Sequence, residues 1–258
     1  MQITDQELLN LAKRGLIPGP NETQENFLNR ISKFPFFQGS LDGSVLTTKL
    51  FGFSPDWIQV RYTNKGLALW EGGCTLIEES KVELLLRKRF EKKKKFLIYD
   101  KEEILAHEYV HAARMAFEEP RFEEILAYQT SNSFLRRYCG PFFKATWLTT
   151  TVAAIVFSGY VLSLFFAVPL WIMLIVGSLW KLGLFKMVRD QRIFKKCLNN
   201  LSHFLGAKDK VLSIMLRLTD KEIVTFSNYS ASELSKHFKD FRDHSLRWKQ
   251  ISLLCDER

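Results

Sequence analysis

The chain has few cysteines and no closely spaced pair. Cys74, Cys139, Cys197 and Cys255 are scattered, with no CxxC among them. That spacing excludes a disulfide framework and a thiolate zinc site, and it points to a reducing compartment. The N-terminus, MQITDQELLN, is acidic and lacks the basic-then-apolar order of a cleavable signal peptide. Charge is missing altogether from Ala145 to Trp180, a run of 36 residues. What is present elsewhere suffices for a core: the 258 residues are 47% hydrophobic and 14% aromatic, so global disorder is excluded and one large or two small domains are expected. The net charge of +9 suits nucleic acid, an acidic partner or an anionic membrane face.

The first fifty residues read as packing elements. Thr4 to Glu7 has capping-box spacing and opens a helix that ends near Gly15. Asn21 is the expected cap of a second helix through Phe34, and Pro35, Gly39 and Gly43 then break the chain. From residue 51 to 96 the pattern turns to short strands. Trp57–Tyr62 is one, with a turn at Asn64-Lys65-Gly66; Leu67–Trp70 and Cys74–Ile77 are strand pieces split by Gly72-Gly73. Val82–Phe90 fits helix or strand, and Phe96–Tyr99 is a short apolar strand. Arg87 to Lys95 holds seven basic residues in nine. A solvated face is the plain reading of that run, contact with anionic lipid headgroups the functional one, and a nucleic-acid patch the third.

Between Ile104 and Tyr128 the chain reads ILAHEYVHAARMAFEEPRFEEILAY. Asp100 is placed to cap a helix running to about Phe117, with Glu102 and Glu103 in its first turn. On that helix His107 and His111, four apart, lie on one face and reach one metal ion. Two imidazoles and a carboxylate leave a fourth position for water, the catalytic arrangement of zinc. Glu108 is the candidate general base. Pro120 starts a second helix, expected to run to about Arg137, and a tight turn folds it back so that its carboxylates face the histidines. Glu118 and Glu119 fall in that turn and read as solvated, with Arg114 paired to Glu118 along the helix.

The segment resembles the gluzincin group of zinc metallopeptidases, whose signature is HExxH with a glutamate on a following helix. Glu124-Ile125-Leu126-Ala127 is similar to the ExxA segment in which membrane-bound members carry their third ligand. The resemblance implies a zinc metalloendopeptidase with Zn2+ on His107, His111 and Glu124, with Glu123 the alternative ligand. The family commonly has aspartate after ExxA. Tyr128 stands there instead, so the carboxylate that would orient a ligand is missing or comes from elsewhere. Tyr128 itself lies one turn beyond Glu124, where it orients a ligand, stabilises an oxyanion or simply packs.

The uncharged run is too long for one membrane span and just enough for two. The expected hairpin is Ala145–Val168 and Pro169–Phe185, with a buried soluble hairpin or a re-entrant hairpin as alternatives. Basic flanks on both sides (Arg136, Arg137 and Lys144 before; Lys186, Arg189, Arg192, Lys195 and Lys196 after) place both termini and the site in the cytoplasm. The last seventy residues read as helices, with capping-box spacing at Thr219–Glu222 and Ser230–Glu233. His203, His237 and His244 sit among ordinary helical residues.

The predicted architecture is therefore α+β. Residues 1–143 form a zincin-like domain of a small mixed sheet, the HExxH helix and a following glutamate helix. Residues 144–186 are an inserted transmembrane hairpin, and residues 187–258 a basic helical region. The expected function is a membrane-anchored zinc protease acting on protein or peptide substrates associated with the lipid bilayer, with no nucleic acid partner. The alternatives are a non-enzymatic membrane adaptor with a degenerate or structural metal site, and a membrane-tethered nucleic-acid binder using residues 207–250.

Overall fold

Local capping sets the N-terminal elements. The Thr4 hydroxyl accepts from Glu7 N, and the Glu7 carboxylate accepts from Thr4 N at 2.8 Å, which opens α1 (Asp5–Lys13) by satisfying two orphan donors at once. Thr23, rather than Asn21, caps α2 (Gln24–Ser32), accepting from Asn26 N at 3.2 Å. No capping or periodic signal announces α3 (Ser44–Phe51). Its entry depends on Gly43, at φ +82, where a Cβ would stand 2.5 Å from the Leu105 Cβ; only glycine combines that backbone with that approach. The structure is a computed structural model that describes residues 3–37, 43–68, 71–78, 81–96, 99–143, 146–163, 170–206 and 208–257.

Three strands, β1 (Gln59–Thr63), β2 (Gly73–Glu78) and β3 (Lys81–Arg87), form one sheet in the order β1-β3-β2. β1 runs parallel to β3 and β2 antiparallel to it, with Thr75 opposite Leu84. The central β3 is the apolar one, burying Val82, Leu84, Leu85 and Leu86, which settles Val82–Phe90 as a strand followed by a 3-10 turn at Lys88–Glu91. No strand forms at Leu67–Ala68; residues 69 and 70 of that expected strand lie outside the described residues. In place of one strand at Phe96–Tyr99, β4 (Lys95–Phe96) and β5 (Tyr99–Asp100) pair antiparallel, with residues 97 and 98 likewise outside the described residues.

Asp100 caps α4 (Lys101–Ala113), accepting from Glu102 N at 3.0 Å. The helix lies across β2, where Gly73 lets the Ile104 side chain approach. Its other faces are buried too, through Leu105, Ala106, Tyr109, Val110 and Ala113. It ends at Ala113 and not Phe117. Glu118, at φ +51, reverses the chain, and Pro120 takes the first position of α5 (Pro120–Ala127). That helix also ends early. Glu103 draws the following segment back, accepting from Asn132 N at 2.9 Å and Arg136 Nη1 at 2.7 Å. A 3-10 turn at Tyr128–Thr130 and α6 (Phe134–Cys139) therefore replace the long helix expected to reach Arg137.

The transmembrane expectation is overturned. Among the described residues no helix is long and apolar enough to cross a membrane. α7 (Thr146–Ser163) has 18 residues, about 27 Å of helix against roughly 30 Å of hydrocarbon, and it contains Thr149, Thr150, Thr151, Ser158 and Tyr160. α8 (Leu170–Leu205) has 36 residues, but Lys181, Lys186, Arg189 and Asp190 follow the apolar start on one unbroken helix. The inserted hairpin, the two-span membrane location and the cytoplasmic topology drawn from the basic flanks all fall with it. The predicted boundaries at Ala145, Val168 and Pro169 lie outside the described residues.

The charged half of α8 ties other elements together. Asp190 accepts from Arg121 Nη2 at 2.6 Å, and the Asn200 amide donates to the carbonyls of Phe226, Ser227 and Tyr229 at 2.9, 3.1 and 3.0 Å. α9 (Lys208–Met215), α10 (Asp220–Phe226), α11 (Ala231–Phe241) and α12 (Leu246–Asp256) complete the chain, with both capping boxes formed. Their apolar residues, Val211, Ile214, Ile223, Trp248 and Ile251 among them, join one buried cluster with Leu8, Phe51, Leu84, Leu105 and Phe122. Two fully buried arginines cross it. Arg217 donates to Ser213, Gln250 and the Ala12 carbonyl. Arg114 does not pair with Glu118; it donates to the carbonyls of Leu216 and Leu218 at 2.7 and 3.0 Å.

Candidate metal centre

Side chains four apart on α4 project on one face, and the turn at residues 114–119 lays α5 beside them. The result is a carboxylate set across a pair of imidazoles. His107 Nε2 and His111 Nε2 are 3.2 Å apart. Glu124 Oε2 is 3.5 Å from the first, and Glu124 Oε1 is 3.4 Å from the second, so the carboxylate turns one oxygen to each ring. Each of the three residues offers a ligand atom within 4.8 Å of the others, close enough to share one ion. Among the described residues this is the one group of three or more His, Cys, Asp or Glu side chains able to share an ion.

Glu123, the alternative ligand, faces a different atom. Its Oε1 lies 2.6 Å from His111 Nδ1, a geometry in which the ring donates to the carboxylate and keeps its Nε2 lone pair for a metal. The consecutive carboxylates divide the work: Glu124 meets both Nε2 atoms and Glu123 orients one ring from behind. The orienting carboxylate, absent at Tyr128, is present five residues earlier. Tyr128 packs edge-on against the His107 ring, with centroids 4.6 Å apart, and its other side rests on Gly140, where any Cβ would collide with the phenol. Sequence reasoning did not find Thr75. It reaches α4 from β2, its hydroxyl donating to Glu108 Oε2 at 2.8 Å. A lone threonine 33 residues away in the chain carries no signal until the sheet is paired.

The environment pushes these groups apart. Burial, helped by the charges of His111 and Arg136, holds His107 well below the usual imidazole range. Burial also favours neutral His111, but its hydrogen bond to Glu123 and the charges of Glu124 and Glu108 outweigh that, and its pKa is pushed up to about 9. Glu108 is raised, chiefly by burial, with His111 and the Thr75 hydrogen bond opposing. Burial and the neighbouring Glu124 raise the Tyr128 phenol. Three carboxylates around two imidazoles form a donor set whose charge a dication answers.

A cleft of about 350 Å³ opens beside these groups, lined by Thr75, Ile77, Glu108, His111, Met115 and Glu118 among others. Its β2 wall is an edge: among the described strands β2 pairs with β3 alone, and Leu76 and Ile77 are 38% and 49% exposed. His237 and His244 lie elsewhere, packed on Phe241. No protein family, no curated protein and no solved structure matches the chain.

Proposed function

We propose that the chain is a zinc-dependent peptidase of the gluzincin kind, with His107, His111 and Glu124 as metal ligands and Glu108 as general base. The Glu124 carboxylate, with one oxygen 3.5 Å from His107 Nε2 and the other 3.4 Å from His111 Nε2, carries the reading. The composition of the set fits zinc, two imidazoles and one carboxylate with a position left for water; His111, held protonated by its carboxylate neighbours, would give up its Nε2 proton on binding the metal. Zinc bound there supplies a Lewis acid for the scissile carbonyl and lowers the pKa of water to near neutrality.

The chain's own residues supply the rest. Thr75 holds Glu108 Oε2, leaving Oε1 to take a proton from the attacking water and return it to the leaving amine. The raised pKa of Glu108 brings the base nearer the operating pH, where proton transfer in both directions is fastest. Glu123 fixes the His111 ring and Tyr128 blocks rotation of His107. The free edge of β2 runs past Glu108 and suits an extended peptide, which backbone pairing holds with alternate side chains towards the cleft.

The test is metal content and cleavage together. Protein purified without chelators is expected to carry about one zinc per chain, the stoichiometry of a catalytic site, and His111→Ala to carry none. Glu108→Gln is expected to keep the zinc and lose peptide hydrolysis. Wild-type protein without zinc, or normal cleavage by Glu108→Gln, overturns the proposal.

A further inference from the structure

We propose that Asp220, from the C-terminal region, is a positioning residue of the metal centre, fixing α5 in the register that brings Glu124 to both histidines. The inference rests on the metal-dependent reading above. α5 is eight residues long and cannot cap itself. Glu119, at its N-cap, makes no side-chain cap hydrogen bond, and Pro120 follows it. The next backbone donors, those of Arg121 and Phe122, are the ones an N-cap side chain ordinarily satisfies. Asp220 takes them both from across the molecule, Oδ2 accepting from Arg121 N at 3.1 Å and Oδ1 from Phe122 N at 3.2 Å.

The exchange is reciprocal. The Glu119 carboxylate accepts from Asp220 N at 2.6 Å, so each helix start is held by an acidic residue of the other, where the helix dipole favours negative charge. The same connection is gripped at its other end, because Arg114 donates to the carbonyls of Leu216 and Leu218. The whole turn from α4 to α5 is thus clamped between residues 216 and 220. Glu123 and Glu124 lie immediately beyond the capped turn. In so short a helix, fraying or rotation of the first turn displaces both together. Contacts of 3.4–3.5 Å from the two Glu124 oxygens to the two rings have little room for such displacement, since metal affinity depends on the groups that hold its ligands in place.

Full-length wild type, Asp220→Ala, Asp220→Asn and Trp57→Phe separate positioning from stability. Trp57 is buried, donates to the Arg14 carbonyl at 2.8 Å and stacks on Phe34; it is outside the 216–220 clamp and serves as the control for a general loss of stability. Zinc affinity is read by competition with a chromogenic chelator on folded, metal-stripped protein, beside the thermal midpoint. Asp220→Ala is expected to weaken zinc binding about 10–100-fold, the range for groups that support ligands. Asp220→Asn, keeping one acceptor, is expected to lose less. Trp57→Phe is expected to lose thermal stability and keep wild-type affinity. The proposal is overturned if Asp220→Ala binds zinc as wild type does, or if Trp57→Phe loses affinity in the same proportion to its midpoint. Should Asp220→Ala not fold, Asp220→Asn against Trp57→Phe decides the same question. Absence of zinc from the wild type is a different result: it removes the metal reading itself and this inference with it.

Discussion

Around Arg247 the chain buries a guanidinium and a carboxylate and matches them. Arg247 Nη2 and Nη1 meet Glu222 Oε1 and Oε2 at 2.8 and 2.9 Å, and the same carboxylate accepts from Thr219 N and Trp248 Nε1. Burial alone would raise the Glu222 pKa, but Arg247 and the Thr219 cap outweigh it and hold it below the ordinary carboxylate value. Around His111 the chain gathers Glu108, Glu123 and Glu124 on two imidazoles with no such matching. There Glu108 is raised, His107 lowered and His111 pushed up to about 9. At Arg247 and Glu222 buried charge is paired and the carboxylate is held charged. Around His111 it is crowded instead, and pKa values driven apart are the pattern that separates acid, base and ligand roles where a site is catalytic.

Removing a ligand should break this contrast most completely. His111→Ala deletes one member of the donor set and the partner of Glu123. It is expected to abolish zinc uptake while the capped helices of the C-terminal region stay folded, as metal analysis and circular dichroism would show. Retention of stoichiometric zinc by this variant would mean that His111 is not a ligand and that the proposed site is wrong.

Glu108→Gln is the next largest effect, on rate alone. It should reduce peptide hydrolysis about 10²–10⁴-fold, the usual contribution of a positioned general base, with metal content unchanged. Loss of zinc in this variant would make Glu108 a ligand and dissolve the distinction between its role and that of Glu124.

The matched pair is tested by Glu222→Gln. Leaving Arg247 without its counter-charge is expected to cost about 3 kcal/mol of stability at pH 7, read from denaturant unfolding, with zinc affinity retained. A carboxylate with a depressed folded pKa contributes stability that is fully present above its unfolded value, about 4.3, and is lost as pH falls through the lower folded value. The variant should therefore lose the part of the acid limb that lies in that window. An unchanged pH profile would show that the pair is not what holds Glu222 charged.

Which parts of this were legible in the sequence follows from the range of each interaction. The capping boxes, the Asp100 cap, Pro120 at the start of α5 and the histidine pair are local, and their geometry follows from spacing along one helix. Glu124 was open against Glu123 because the choice depends on how α5 rolls against α4. That roll is set by Asp220, which lies 98 residues from Phe122. Spacing pairs Arg114 with Glu118 on its own helix, whereas it donates to carbonyls more than 100 residues away. The uncharged run misled for a related reason: absence of charge describes composition, whereas crossing a bilayer needs length and apolarity within one helix.

Thr75 gives the finest test, because it joins the two kinds of region: a side chain of the ordinary sheet that holds Glu108, the proposed general base. Its hydroxyl donates 2.8 Å to Glu108 Oε2 and 3.2 Å to the Glu108 carbonyl, so it fixes both the carboxylate and the backbone beneath it. Valine keeps the shape and the strand propensity and removes the donor. A hydrogen bond to a charged acceptor contributes about 1.5–3 kcal/mol, but Glu108 can turn towards water once released, so the expected loss in kcat/KM is nearer tenfold, about 1.4 kcal/mol. The pH profile shows where that loss arises. The hydroxyl favours the charged form of Glu108, so its removal should move the acid limb of the profile upward in pH. A tenfold loss with an unmoved acid limb would assign Thr75 to substrate pairing at the β2 edge rather than to the base.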